Sequence, residues 1–289
     1  MPRSETTTRV LVAAAGIPVA IAFIYLGGWA LAVMIAALAA VSALEFYRLA
    51  ERREVRPLTT VGIGIAVAFI ATAAVNPAGG PEEAGFGTIT ILATLLVGLV
   101  VIWARGVEGQ PLLVASATVT GAIYTGAMLS FALFLRHLPG TSGVGHATAL
   151  VLGPIVLTWV SDTMAYFSGR AFGRHKLIPK VSPGKTVEGA VGAVVGTALA
   201  AVAYGALLGR FPSYDLTLGQ ALFLGVLISV GAQAGDLTES VFKRDAGVKD
   251  SGRLFPGHGG ALDRFDSLFF TLPLGYLFFR FLVGSYPPF

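Results

Sequence analysis

The sequence predicts an all-α, polytopic helical membrane protein with about nine transmembrane helices and a cytoplasmic N-terminus. Three observations carry this. The chain is 55% hydrophobic and only 12% charged, with a mean hydropathy of +0.76, well outside the range of soluble globular proteins. It offers about nine windows of the roughly 20 mostly apolar residues that a bilayer span requires, near 10–27, 29–47, 59–76, 86–104, 113–135, 148–168, 187–208, 218–241 and 267–284. With the N-terminus inside, every one of the 20 Lys and Arg residues except Arg136, Arg210 and Arg280 falls on the cytoplasmic side. That asymmetry is the positive-inside pattern.

Taken in order, the first window follows Arg3 and Arg9 and leads almost directly into the second. It therefore reads as a retained signal-anchor helix rather than a cleaved signal peptide. The second ends in EFYRLAERREVRP, a cytoplasmic turn, and the third and fourth flank the outer loop NPAGGPEEAG with Glu82 and Glu83. Trp29, Trp103, Tyr47 and Tyr124 lie mostly near span ends, where an interfacial aromatic belt accounts for them. These features read as solvated loops and headgroup anchors. Residues 1–147, about five spans, are thus expected to serve as scaffold, lipid-facing surface or homodimer contact. Residues 148–289, about four spans with cytoplasmic loops, are expected to carry the chemistry. Cysteine is absent, which excludes disulfides, zinc-thiolate sites and cysteine nucleophiles. The pI near 9.5 records topology and attraction to anionic membrane lipids rather than nucleic-acid binding. The expected location is the inner, cytoplasmic membrane, as a multi-pass protein.

Polar residues gather at the cytoplasmic ends of the last four spans, in WVSDTMAYFSGRAFGRHK, IPKVSPGKTVEGAVG and GAQAGDLTESVFKRD. The last runs into SVFKRDAGVKDSGRLFPGHGGALDRFDS, where Lys243, Arg244, Asp245, Lys249, Asp250, Arg253, Asp263, Arg264 and Asp266 cluster between apolar segments. Charge held beside a bilayer marks a functional site by default. Asp236 and Glu239 are three residues apart and Ser240 is four from Asp236, so they share one helix face. Glu239 can pair with Lys243 at i,i+4; for Asp236 a metal role is favoured. Asp263 and Asp266 repeat the spacing at the start of the ninth span. There, capping of free N–H groups competes with metal binding, and the preceding Gly257-His258-Gly259-Gly260 tips the balance towards a metal and phosphate site. His258 reads equally as an acid–base group and as a hydrogen-bonding post. Hard oxygen ligands point to Mg2+, and a two-metal arrangement follows if carboxylates of spans eight and nine converge. Asp162, inside span six, either pairs with a cation from a neighbouring helix or contacts substrate or metal. Ser182, Lys185, Thr186 and Glu188 form a turn into a helix without the full P-loop glycine pattern. Lys185 there suits a nucleotide triphosphate, and a helix cap with Glu188 facing inward explains the segment nearly as well. Gly189, Gly192 and Gly196 permit close helix packing.

These residues resemble the signature of the phosphatidate cytidylyltransferase, or CDP-diacylglycerol synthase, family. The resemblance rests on Ser240-x-Phe242-Lys243-Arg244, Lys249-Asp250, His258-Gly259-Gly260 and Asp263-Arg264-x-Asp266. Upstream, Asp162 with Ala165-Tyr166 and Gly169-Arg170, Ser182-Pro183, Lys185-Thr186, Glu188-Gly189 and Gly235-Asp236-Leu237 also fit. Ala261, Met164 and Gly184 depart from the family, which often has a larger aliphatic, Gly and a second Lys at those positions. The resemblance implies that CTP and phosphatidate react at the cytoplasmic face to give CDP-diacylglycerol and pyrophosphate. It implies Asp236 and Asp263 as ligands of Mg2+, with Asp266 nearby and K+ as a second cation. It also implies Lys243, Arg244, Lys249, Arg264 and Lys185 as phosphate-holding groups. An enzyme of the same chemistry acting on an archaeal or polyprenyl lipid phosphate would share the headgroup site. An ion-coupled transporter is the rival from another class, but transporters carry interrupted spans in both halves, whereas the polar residues here lie on one side of one half.

Overall fold

Runs of Ala, Val, Leu and Ile with few β-breaking turns fold as long helices because, in lipid, each backbone group must find its partner within the segment. The computed structural model describes residues 5–211, 214–254 and 259–283. In chain order these form α1 (Glu5–Leu26), α2 (Gly28–Glu51), α3 (Thr59–Val75), the single turn α4 (Gly80–Glu83), α5 (Phe86–Ala104) and α6 (Pro111–Ala122), which passes through a π-helical turn at Ile123–Ala127 into α7 (Met128–Arg136). Then come α8 (Gly143–Phe172), strands β1 (Lys176–Ile178) and β2 (Ser182–Thr186), α9 (Val187–Leu208), α10 (Leu218–Asp245), the short α11 (Leu262–Phe265) and α12 (Leu268–Phe278), which ends in a second π-helical turn. Among the described residues, seven helical stretches are long and apolar enough to cross a membrane. Thr59–Val75 and Ala14–Leu26 are shorter apolar helices. The all-α, multi-pass reading therefore holds, with one addition: an antiparallel hairpin pairing Lys176 with Thr186 and Ile178 with Ser182.

The chain packs as two units. The first comprises residues 1–134 and 242–265. Its core holds Ala43, Tyr47, Ile65, Ala66, Phe69, Val97 and Val114. Tyr47 is fully buried, and its hydroxyl donates to the Thr118 carbonyl at 2.8 Å. The Thr118 hydroxyl in turn accepts from the Leu58 N–H at 2.9 Å and donates to Val114 O at 2.7 Å. A buried polar side chain thus ties α6 to the start of α3, satisfying an N–H that lipid could not. The ring of Tyr47 fits because a Cβ at Gly62 or Gly121 would occupy its place. Phe242 enters this unit edge-on to Phe46 and Tyr124, with ring centroids at 5.6 and 5.9 Å, a favoured aromatic geometry.

The second unit comprises residues 135–241 and 266–289. Helix α8 has 30 residues, which at 1.5 Å per residue is about 45 Å against a hydrocarbon core of about 30 Å. Its polar final turns are therefore long enough to leave the membrane. Helix α9 packs on α8 through the predicted small residues: a Cβ at Gly192 would overlap Ser168, and one at Gly196 would meet Met164. Hydroxyl pairs join other helices of the unit, Thr158 Oγ1 to Thr271 Oγ1 at 3.0 Å and Ser161 Oγ to Ser229 Oγ at 2.9 Å. Such contacts bind helices where apolar burial offers little preference over lipid.

Candidate active site

Within the second unit, five residues singled out from sequence, Asp162, Ser182, Lys185, Thr186 and Asp236, line one cleft of about 510 Å³, a volume typical of small-molecule sites. Asp162, Tyr166 and Arg170 recur at i, i+4 and i+8 on α8, so one helix face supplies all three. Strand β2 brings Ser182 and Lys185, and α10 brings Asp236. Lys185 Nζ lies 2.7 Å from Asp236 Oδ2, with the two side chains 26% and 34% exposed. Ser240 Oγ donates to the other Asp236 oxygen at 3.3 Å. Arg170 Nη1 donates to the Tyr166 hydroxyl at 3.0 Å. The cleft therefore combines two carboxylates with two cations, the donor set suited to a magnesium-bound phosphate chain.

The Ser182–Thr186 segment enters α9 as a strand, not as a bare turn. Thr186 is the N-cap: its Oγ1 accepts from Gly189 N at 3.1 Å. Glu188 turns towards the end of α8, where it takes His175 Nδ1 at 2.6 Å and the N–H groups of Arg174 and His175 at 3.0 to 3.3 Å. It braces the turn between α8 and β1.

The last turn of α10 and the residues after it build another group, within the first unit. Lys243 Nζ is 2.7 Å from Asp263 Oδ1, and the two side chains are 12% and 5% exposed. The other Asp263 oxygen accepts from Ser251 N at 2.9 Å, Ser251 Oγ at 2.9 Å and Gly260 N at 2.8 Å. Asp263 thus fixes the ends of its own loop, a strongly charge-assisted network. Gly259 has φ +83°, a left-handed conformation that glycine adopts without strain. The Gly260 N–H, expected to face a phosphate, is committed to Asp263 here.

Asp266 lies beyond the end of α11, in the turn before α12, so the i,i+3 spacing from Asp263 does not place the two on one regular helix. Its Oδ1 accepts from Ser267 N at 2.6 Å, and its carbonyl lies so close to Gly235 that a Cβ there would stand 2.6 Å away. Arg244 donates to the Val248 carbonyl at 3.2 Å. Lys249, Asp250 and Arg264 are exposed. His258 lies outside the described residues.

Among the described residues no group of three or more His, Asp or Glu side chains converges as a metal cage. Magnesium does not require one, since it takes one or two protein carboxylates and completes its shell with water and phosphate oxygens. Asp236, one-third exposed in a cleft shared with Asp162, fits that demand. A second cleft, of about 560 Å³, lies in the first unit beside Arg56 and Arg105. Arg105 spends Nε and Nη2 on the carbonyls of Arg56 and Pro57, so there it braces a loop.

Sequence reasoning missed Glu45 on α2. It is 3% exposed, and its Oε2 accepts from Leu262 N at 2.8 Å and lies 3.1 Å from Ser251 Oγ, within reach of the same hydroxyl proton as Asp263. A signal was available: Glu45 falls inside the apolar window 29–47, where a carboxylate is costly without partners.

The chain is similar in sequence to known proteins. The Cytidylyltransferase family profile matches residues 7–282. A phosphatidate cytidylyltransferase of Synechocystis is 32% identical over 94% of this chain and 96% of its own. One from Staphylococcus saprophyticus is 46% identical over 43% of this chain and 46% of its own. The uncharacterized protein YnbB of Escherichia coli is 46% identical over 57% of this chain and 54% of its own. The chain thus spans about half the length of the latter two relatives and nearly all of the Synechocystis protein. The match from residue 7 to residue 282 places the chain in the cytidylyltransferase family.

Proposed function

We propose that this protein is a phosphatidate cytidylyltransferase. An oxygen of the phosphatidate phosphate attacks the α-phosphorus of CTP, the bond to the β-phosphate oxygen breaks, and CDP-diacylglycerol and pyrophosphate leave. The observation that carries this is the cleft where Lys185 and Asp236 meet at 2.7 Å beside Asp162, Tyr166 and Arg170. Phosphoryl-type transfer needs charge neutralisation and in-line positioning more than covalent catalysis. Lys185 and Arg170 hold phosphate oxygens. Ser240 orients the Asp236 carboxylate, and Thr186 keeps the β2–α9 corner rigid. Asp236 and Asp162 are the carboxylates in this cleft that would hold magnesium. A bound ion there would supply neutralisation of the charge that builds on the transferring phosphate. Asp263 and Asp266 as further ligands, K+ as a second cation, and Lys243, Arg244, Lys249 and Arg264 as phosphate-holding groups follow from the family resemblance.

We also propose nine spans with the N-terminus inside, which sets these residues on the cytoplasmic face of the inner membrane. There the acyl chains stay in lipid while the phosphate meets CTP in water. The test is turnover by purified protein in detergent with phosphatidate, labelled CTP and magnesium. Magnesium-dependent CDP-lipid and pyrophosphate are expected, and Asp236→Asn should lower turnover at least 100-fold while the protein stays monodisperse. No CDP-lipid from the unaltered protein would refute the activity. A fully active Asp236→Asn would refute the metal role of that carboxylate.

A further inference from the structure

We infer that Glu45 is a positioning residue that seats the glycine-rich loop between α10 and α11. Glu45 sits on α2, more than 200 positions from the loop in sequence, yet both belong to the same packed unit. The residue is 3% exposed, so its carboxylate is not a solvated charge at a helix end. One oxygen takes the N–H of Leu262, the first residue of α11, at 2.8 Å. An N–H at the start of a helix has no intrahelical acceptor, so Glu45 supplies from another helix what a local cap would otherwise provide. The same oxygen lies 3.1 Å from the hydroxyl of Ser251, whose oxygen is also 2.9 Å from Asp263 Oδ2. That hydroxyl carries one proton, so it serves one carboxylate at a time and couples the position of Asp263 to that of Glu45.

The loop is shaped around this side chain. A Cβ at Gly252 or at Gly260 would occupy the place of the Glu45 carboxylate. Two glycines are thus required by the approach of a carboxylate from α2, besides any service to a ligand. Glu45 acts by holding Ser251 and the start of α11, and these hold Asp263.

The inference rests on the cytidylyl-transfer reading only for its activity readout. The key contrast is between Glu45→Gln, which keeps an acceptor oxygen for both donors, and Glu45→Leu, which removes it. At a temperature well below unfolding, and per monodisperse molecule, Glu45→Leu should lower kcat at least tenfold. KM for CTP and for phosphatidate should stay within about threefold, and Glu45→Gln should stay within about threefold of the unaltered protein throughout. Hydrogen exchange gives a readout independent of turnover. In Glu45→Leu, peptides spanning 249–254 and 259–264 should exchange faster, while peptides of α3 and α9 keep their protection. Ser251→Ala, which retains Glu45 and the Leu262 contact, should show the same local exchange with a smaller loss of kcat, so the test stands even where Glu45→Leu does not fold. Unchanged exchange in the loop, exchange rising throughout the chain together, or a fully active Glu45→Leu would each overturn the inference. An unaltered protein without turnover would instead count against the cytidylyl-transfer reading, leaving the exchange result to decide on Glu45.

Discussion

The pair Lys243–Asp263 yields a prediction in which two damaging changes should partly cancel. Asp263 is 5% exposed and Lys243 12%, so each charge depends on the other. Lys243→Met leaves a buried carboxylate with Ser251 N, Ser251 Oγ and Gly260 N as donors. Breaking a buried ion pair costs about 3–5 kcal/mol, and the donors that remain among the described residues argue for the lower end, about 3 kcal/mol. Asp263→Asn must point its NH2 either at the three donors or at the Lys243 ammonium. Either choice sets donor against donor, again at about 3 kcal/mol. In the double variant the NH2 faces the Met side chain and the carbonyl oxygen keeps the three donors. The two costs should then fall short of additivity by about 1–3 kcal/mol, the size of coupling seen between contacting residues. At roughly 2–4 °C per kcal/mol, each single variant should melt about 6–12 °C lower in detergent, and the double should not fall by the sum. Thermal unfolding followed by tryptophan fluorescence measures this. Strict additivity of the two shifts would refute the assignment of the pair as a mutually dependent buried contact.

Two further predictions concern the frame around the site. Thr186→Ala removes the N-cap of α9 and should cost about 1 kcal/mol, read as a small drop in melting temperature that Thr186→Ser restores. Gly260→Ala forces a methyl group onto the Glu45 carboxylate and should cost about 1–3 kcal/mol along with turnover. Gly184→Ala, which meets nothing within 4 Å, should leave the melting temperature unchanged; equal losses of stability at the two glycines would show that packing against Glu45 is not the reason for Gly260.

The helices were legible because a span writes itself as an uninterrupted apolar run, and such runs end near where α2, α5, α9 and α10 end. What the runs could not show lies where polarity returns. The last turns of α8 carry Ser168 and Arg170 and stay helical beyond any hydrophobic signal, and the hairpin after it is too short and too polar for an alternating pattern. Asp236 and Lys185 were identifiable as chemistry, but their contact across β2 and α10 is tertiary. Asp263 could be read as cap or ligand; in the structure it accepts from Gly260 three residues earlier, and from Ser251 and Lys243, and these last two lie beyond local spacing. Glu45 was masked by its neighbours: beside Arg48, Glu51 and Arg52 it looked like one more residue of a solvated turn. Its depth in the apolar window was the distinguishing sign.

The seat of Glu45 also has a consequence for biogenesis. The carboxylate emerges from the ribosome 206 residues before Ser251 and 217 before Leu262. At about 5–20 residues per second, that is a wait of roughly 10–40 s. During that interval α2 is already made, and its carboxylate is without Ser251 and Leu262. The first unit is therefore finished from the far end of the chain, and a nascent protein arrested before residue 251 would have every helix of its N-terminal half and no seat for the carboxylate.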